Sequence, residues 1–156
     1  MEENEYKETY HALNVQRCVF EKAINSRRAQ CSKSVRFHLA DREGISCNHA
    51  SGNSLCTLLL ELMRANARFA LHLASTHAPL PHAKEIRVQT GGMLGLQGLV
   101  EPAKSGQSQI DDIIGTIAAA LHRYGSLEAL PYDVIVKDIV RFEGRRKRSR
   151  KPDADA

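Results

Sequence analysis

SLCTLLLELMRANARFALHLA, residues 54–74, decides how this chain folds. Leu55, Leu58, Leu59, Leu62, Asn66, Phe69, Ala70 and Leu73 recur at helical spacing, and Thr57, Glu61, Arg64, Arg68 and His72 fill the opposite face. An apolar stripe of that period is the pattern of an amphipathic helix laid against a core. Asn53 is a suitable N-cap. Pro79 and Pro81 stop the pattern, because proline has no amide to donate and its ring clashes with the preceding turn.

Other helices are read outward from this one. Towards the N-terminus, Val15, Val19, Phe20, Ala23 and Ile24 predict a helix over 15–27 capped by Asn14. Residues 3–12 fit a short helix or a loose arm. Val35, Phe37 and Leu39 alternate with Arg36 and His38, which predicts a short strand, with Gly44 and 48–52 as turn material. Towards the C-terminus, residues 82–102 fit either a short strand or a helical turn. Ser108 opens a helix whose buried face is Ile110, Ile113, Ile114, Ile117, Ala118 and Leu121, with Gly125 as its C′ residue. Pro131 opens a last helix through Phe142, with Tyr132, Ile135, Val136 and Ile139 inward. The expected fold is therefore mostly α. It is a single compact domain of about four main helices over 1–144, with room for a minor strand pair, followed by a disordered basic tail over 145–156.

The central helix also carries Cys56, the last of four cysteines. The others are Cys18, Cys31 and Cys47, and none follows in the remaining hundred residues. Four thiolates are a complete ligand set for a structural zinc or an iron–sulfur cluster. The spacing is C-x12-C-x15-C-x8-C. It lacks the paired knuckles of common zinc sites and the tight runs of common ferredoxins. A shared site therefore needs a folded scaffold that draws each ligand from a different element. Cys56 falls at N3 of its expected helix and Cys18 in the first turn of another, where partial positive charge favours a thiolate. Between Arg17 and Cys47 seven cations face three acids, which suits a net-negative cluster. The first reading is a [4Fe–4S] protein with an electron-transfer, redox-sensing or structural role. Zinc is the alternative, including a mixed site that uses His38 or His49. Four separate buried thiols would be the bland explanation, since cysteine packs well as a small hydrophobe.

The net charge of +4 sits in RRKRSRK. Arg145, Arg146, Lys147, Arg148, Arg150 and Lys151 oppose Asp153 and Asp155, and the rest of the chain is balanced. This run suits an acidic protein partner, such as a redox complex, or nucleic acid. It supports the competing reading, a cluster-free helical adaptor. Aromatic residues are only 5% of the chain, so stacking platforms for bases are scarce.

No secretory leader and no apolar run of membrane-spanning length is visible, so the expectation is a cytoplasmic protein with reduced thiols. The segment GGMLGLQG at 91–98 lacks the lysine of a phosphate-cradling loop and reads as close backbone packing or a flexible turn. His77 and His82 flank the proline break without a ligand motif. Asp111 with Asp112 reads as helix capping and Glu43 beside Arg42 as surface charge. No catalytic set is apparent, and an enzyme is not the expected reading.

Overall fold

A computed structural model of the chain describes residues 2–75 and 80–143. The basic run at 145–151, with the tail expected to be disordered, and His77 lie outside these residues. The fold is mostly helical with one small antiparallel hairpin. In order the elements are α1 (Glu3–Leu13), α2 (Glu21–Asn25), β1 (Ser34–Leu39), β2 (Arg42–Cys47), α3 (Ala50–Ala67), α4 (His82–Ile86), α5 (Gly92–Val100), α6 (Ile113–Tyr124) and α7 (Tyr132–Arg141). Among the described residues no helix is long and apolar enough to cross a membrane.

Four long helical rods make the core. The ambiguous stretch at 82–102 is helix throughout its first nineteen residues, because a π-helical turn over Arg87–Gly91 fuses α4 to α5. This rod and α3 both pack on α7, and α5 and α3 also meet α6. The glycines of 91–98 are packing positions. A Cβ on Gly91 would come within 2.8 Å of the Ile139 Cα and 2.9 Å of the Asp138 carbonyl oxygen, so only glycine lets the two backbones approach this closely. Met63, Met93, Leu96, Ile117 and Ile135 fill the space between the rods and are fully buried.

Several boundaries differ from those expected. The helix expected over 15–27 shrinks to Glu21–Asn25. Asn14 does not cap it; its side-chain amide donates to the Ile45 carbonyl (3.0 Å) and to the Tyr10 hydroxyl (3.0 Å). Residues 16–18 instead make a single antiparallel bridge to β2, Arg17 opposite Ser46: the Cys18 amide donates to the Ile45 carbonyl at 3.0 Å and the Cys47 amide to the Gln16 carbonyl at 2.8 Å. Tertiary hydrogen bonds thus override a helical pattern whose first apolar residue, Val15, is left 90% exposed.

The central helix begins at Ala50, not at 54, and ends at Ala67, not at 74. His49 caps it by accepting the Gly52 amide on Nδ1 at 2.8 Å, while Asn53 is drawn aside to the Arg17 carbonyl. Its buried face is also rotated: Leu59, Leu60, Met63, Arg64 and Ala67 are inside, while Leu58 and Phe69 are exposed. Arg64 can be inside because Glu85 meets it there at 2.5 Å. Gly44 is not turn material but lies within β2, where any side chain would collide with the Phe37 ring. Helix α6 starts at Ile113, not at Ser108, and ends as expected at Gly125, whose φ of +86° is the left-handed geometry that glycine tolerates best. The last helix lies where Pro131 and Phe142 bracket it.

Candidate metal centre

The four cysteines come from four places in the fold and line one small cavity of about 20 Å³. Cys18 follows the bridge residue Arg17 before α2, Cys31 lies in the loop before β1, Cys47 at the end of β2 and Cys56 in the second turn of α3. The strand register explains two of these placements. Arg17 pairs with Ser46, and Val35 pairs with Ser46 from the other side. Cys18, opposite Ile45, and Cys47, opposite Ser34, therefore project to the same inner face of the ribbon, with Arg17, Ser46 and Val35 on the outer one. All four cysteines are free thiols.

Cys31 is held by a seam of main-chain bonds. The Ile110 amide donates to the Arg28 carbonyl (2.9 Å), the Gln30 amide to Ile110 (3.1 Å) and the Ile113 amide to Gln30 (2.9 Å). Asp112 completes the seam by accepting the Ser32 amide at 2.9 Å and the Ser32 hydroxyl at 3.2 Å. Asp112 is the N-cap residue of α6, yet its carboxylate makes no cap to its own helix. The Ile114 amide in the first turn and the Lys33 amide both favour negative charge on the Cys31 sulfur.

The electrostatics of the cavity follow from its lining. Val19, Phe20, Ile113 and Ile114 make it dry, and Lys33 is the one charged lining residue among those described. Burial pushes the Cys18 and Cys56 thiols up to about 12 each, and raises Cys31 as well. The Phe20 amide opposes this at Cys18, and the Lys33 and Ile114 amides oppose it at Cys31. Each thiolate also disfavours its neighbours: Cys56 is raised further by the charges of Cys18, Cys31 and Cys47. Four thiolates cannot coexist here without a compensating cation. The donor set is accordingly soft, anionic when deprotonated, surrounded by apolar walls and supplied with amide donors to sulfur. Those features match what a thiolate-ligated metal requires of its surroundings. As the side chains stand, no group of three His, Cys, Asp or Glu among the described residues is gathered tightly enough to hold a metal ion.

The structure brings together Cys18, Cys31, Cys47 and Cys56, and leaves both histidines of the mixed site out. His38 is exposed on β1. The His49 ring is engaged in capping α3, although its carbonyl accepts the Cys47 thiol at 3.4 Å. His82 lies against Lys22 on the surface. Cys56 is too far into its helix for the helix-terminus stabilisation that its expected position implied; Cys18 precedes α2 but is still favoured as a thiolate by the amide of Phe20, the N-cap residue, and Cys31 is favoured likewise by the Ile114 amide of α6. Sequence reading missed Asp112, Ser32 and the Ile114 amide, because their link to Cys31 spans eighty positions and leaves no local pattern. No protein-family model, no curated protein and no solved structure matches this chain.

Proposed function

We propose that this protein binds an iron–sulfur cluster, [4Fe–4S] in the simplest form, through Cys18, Cys31, Cys47 and Cys56. The observation that carries the reading is the convergence of four thiols, distant in sequence, on one apolar cavity. Amide donors at Cys18 and Cys31 and the cation of Lys33 support it, since both stabilise sulfur carrying negative charge. When bound, such a cluster supplies one-electron exchange. With all four ligands from the protein, no iron is left open for a substrate, which fits electron transfer, redox sensing or a structural role better than an enzyme. Arg145, Arg146, Lys147, Arg148, Arg150 and Lys151 would serve to dock an acidic redox partner.

A second reading, structural zinc, is favoured by size. A space of about 20 Å³ receives one ion with less outward movement of the thiols than a multi-iron core requires.

Purification without oxygen, followed by an absorption spectrum and quantification of iron, acid-labile sulfide and zinc, separates the readings. Broad visible absorbance with about four iron and four sulfide per chain supports the cubane. A Cys47→Ser variant should then lose the chromophore, and deletion of 145–156 should retain it. A colourless protein with about one zinc supports the second reading. A folded, colourless, metal-free protein would sink both, leaving the cluster-free adaptor.

A further inference from the structure

Helix α3 is apolar on two faces. Leu59, Leu60, Met63 and Ala67 meet the core and are buried. On the other side a second set, Leu55, Leu58, Leu62, Ala65 and Phe69, recurs at alternating steps of three and four residues. Leu58 is 36% exposed and Phe69 87%, Ala65 is exposed, and Leu55 and Leu62 are half-buried. Phe69 lies just past Ala67, and the Leu71 amide donates to the Ala67 carbonyl at 3.0 Å, so the chain follows the helical path through it. A helix that is apolar all round is ordinarily covered all round, and an alternating three–four step is the seam along which one helix packs on another. Two charges flank this seam. Glu61 and Arg68 are both exposed, and neither has an ion-pair partner among the described residues. Arg64, one turn beyond Glu61, is turned inward to Glu85. Arg68 stands about 10 Å along the axis from Glu61, too far to pair with it on the same helix.

We propose that α3 packs antiparallel against α3 of a second copy of this chain, about a twofold axis at the level of Met63 and Arg64. In that register Leu58 meets Phe69 of the partner subunit and Leu62 meets Ala65 of the partner subunit. Glu61 and Arg68 of the partner subunit then differ by only about 3 Å along the axis, within reach of an ion pair. Twofold symmetry makes every contact twice, so the two charges left unpaired in one chain satisfy each other across the pair. Ala65 lets the helices approach near the axis, and Phe69 fills the space at each end. A parallel pairing would set Glu61 against Asn66 of the partner subunit and leave both charges unmatched. The seam is about 21 Å long, less than a standard interface provides, so the dimer is weak, with a Kd on the order of 10 µM. The proposal does not rest on the four-cysteine site.

The test is sedimentation velocity of the full chain under reducing conditions, from about 2 to 200 µM, where monomer should give way to dimer. Phe69→Ser should raise the Kd by more than about tenfold, since each dimer loses two buried rings. Glu61→Arg and Arg68→Glu should each raise it about tenfold at low salt, because each sets like charges opposite one another. The first variant carries arginine at both positions and the second glutamate, so an equimolar mixture of the two should dimerise as the unaltered chain does. The Glu61→Arg/Arg68→Glu double variant should recover likewise. All three side chains are exposed, and circular dichroism checks that each variant is folded. A chain that stays monomeric at about 200 µM overturns the proposal. So does a dimer whose Kd is the same in Phe69→Ser and in both charge variants, which would place the contact elsewhere. A mixture that associates no better than either single variant refutes the antiparallel register.

Discussion

Replacing Glu85 by leucine should cost this protein a large fraction of its stability. The Glu85 side chain is 3% exposed and the Arg64 side chain 9%, and they meet at 2.5 Å. Glu85 also accepts the Arg64 Nε at 3.2 Å and the Gln89 side-chain amide at 2.9 Å. Gln89 in turn accepts the Ala23 amide at 3.1 Å, so the pair anchors the start of α2 to the π-helical turn. Glu85→Leu leaves a guanidinium buried without its counter-charge, a loss of about 3–5 kcal/mol. With a urea slope of about 2 kcal/mol per M, a loss of about 4 kcal/mol lowers the unfolding midpoint by about 2 M. The double variant Arg64→Leu/Glu85→Leu removes both charges and should recover most of that loss, because well-packed apolar residues can replace a buried pair at little net cost. Salt should change neither result appreciably, since buried charges are screened far less than exposed ones. The assay is urea unfolding followed by circular dichroism at pH 7, with the four proteins of the cycle compared at constant slope. A loss below about 1 kcal/mol for Glu85→Leu, or additive losses in the double variant, would refute this account of why α3 turns Arg64 inward.

Three further outcomes follow from the same geometry. Asp112→Ala should loosen Cys31 from the start of α6 and speed its alkylation by iodoacetamide several-fold in the metal-free protein, while Asp112→Asn, which still accepts from the Ser32 amide, should restore most of the protection; equal rates in all three would exclude a positioning role. Because burial raises the thiols of Cys18, Cys31 and Cys56 above their ordinary value of about 8.5, the metal-free fold should keep the associated stability below about pH 8 and lose it progressively as pH rises towards 12. Thermal unfolding at intervals between pH 7 and 10 measures the decline, and Cys18→Ala should flatten it. Gly91→Ala should destabilise by about 1–3 kcal/mol despite alanine's better helix propensity, since the added carbon meets the backbone of α7 at 2.8 Å, whereas Gly98→Ala meets only Ser105 at an ordinary 3.4 Å and should be neutral or stabilising by up to about 1 kcal/mol; denaturant midpoints of the two variants decide it.

What could be read from the chain alone depended on whether the deciding contacts were local. Helix α7 follows from Pro131 and the inward set Tyr132, Ile135 and Ile139, all of them close neighbours along the chain. The end of α6 follows from Gly125 for the same reason. The start of α3 did not, because Asn53 is taken from outside by Arg17, and neither did that of α6, because Ile110 and Ile113 pair their main chain with Arg28 and Gln30 and so keep the preceding residues out of the helix. The segment at 14–20 has the periodicity of a helix, yet β2 offers it hydrogen bonds that a helix would have to forgo. Gly44 looked like a turn because nothing local reveals that Phe37 will cross it. The cysteines were conspicuous as a group, and their need for a folded scaffold was legible in their wide spacing. Their common cavity was not, since its far wall is Ile113 and Ile114, more than fifty residues beyond the last thiol.

The way the cavity is closed sets the kinetics of whatever fills it. Its walls come from the ribbon, the first turns of α3 and the start of α6, so the space is complete only after these parts have met. Residues 16–18 are held to β2 by the Cys18 and Cys47 amide bonds and by the Gln16 side chain, and to α3 by the Asn53 side chain. A group larger than about 20 Å³ can be seated only if some of these walls part. Loading should therefore level off at the opening rate as the concentration of the incoming group rises, and release should be slow for the same reason. The assembled centre would then be retained by a closed door as much as by affinity.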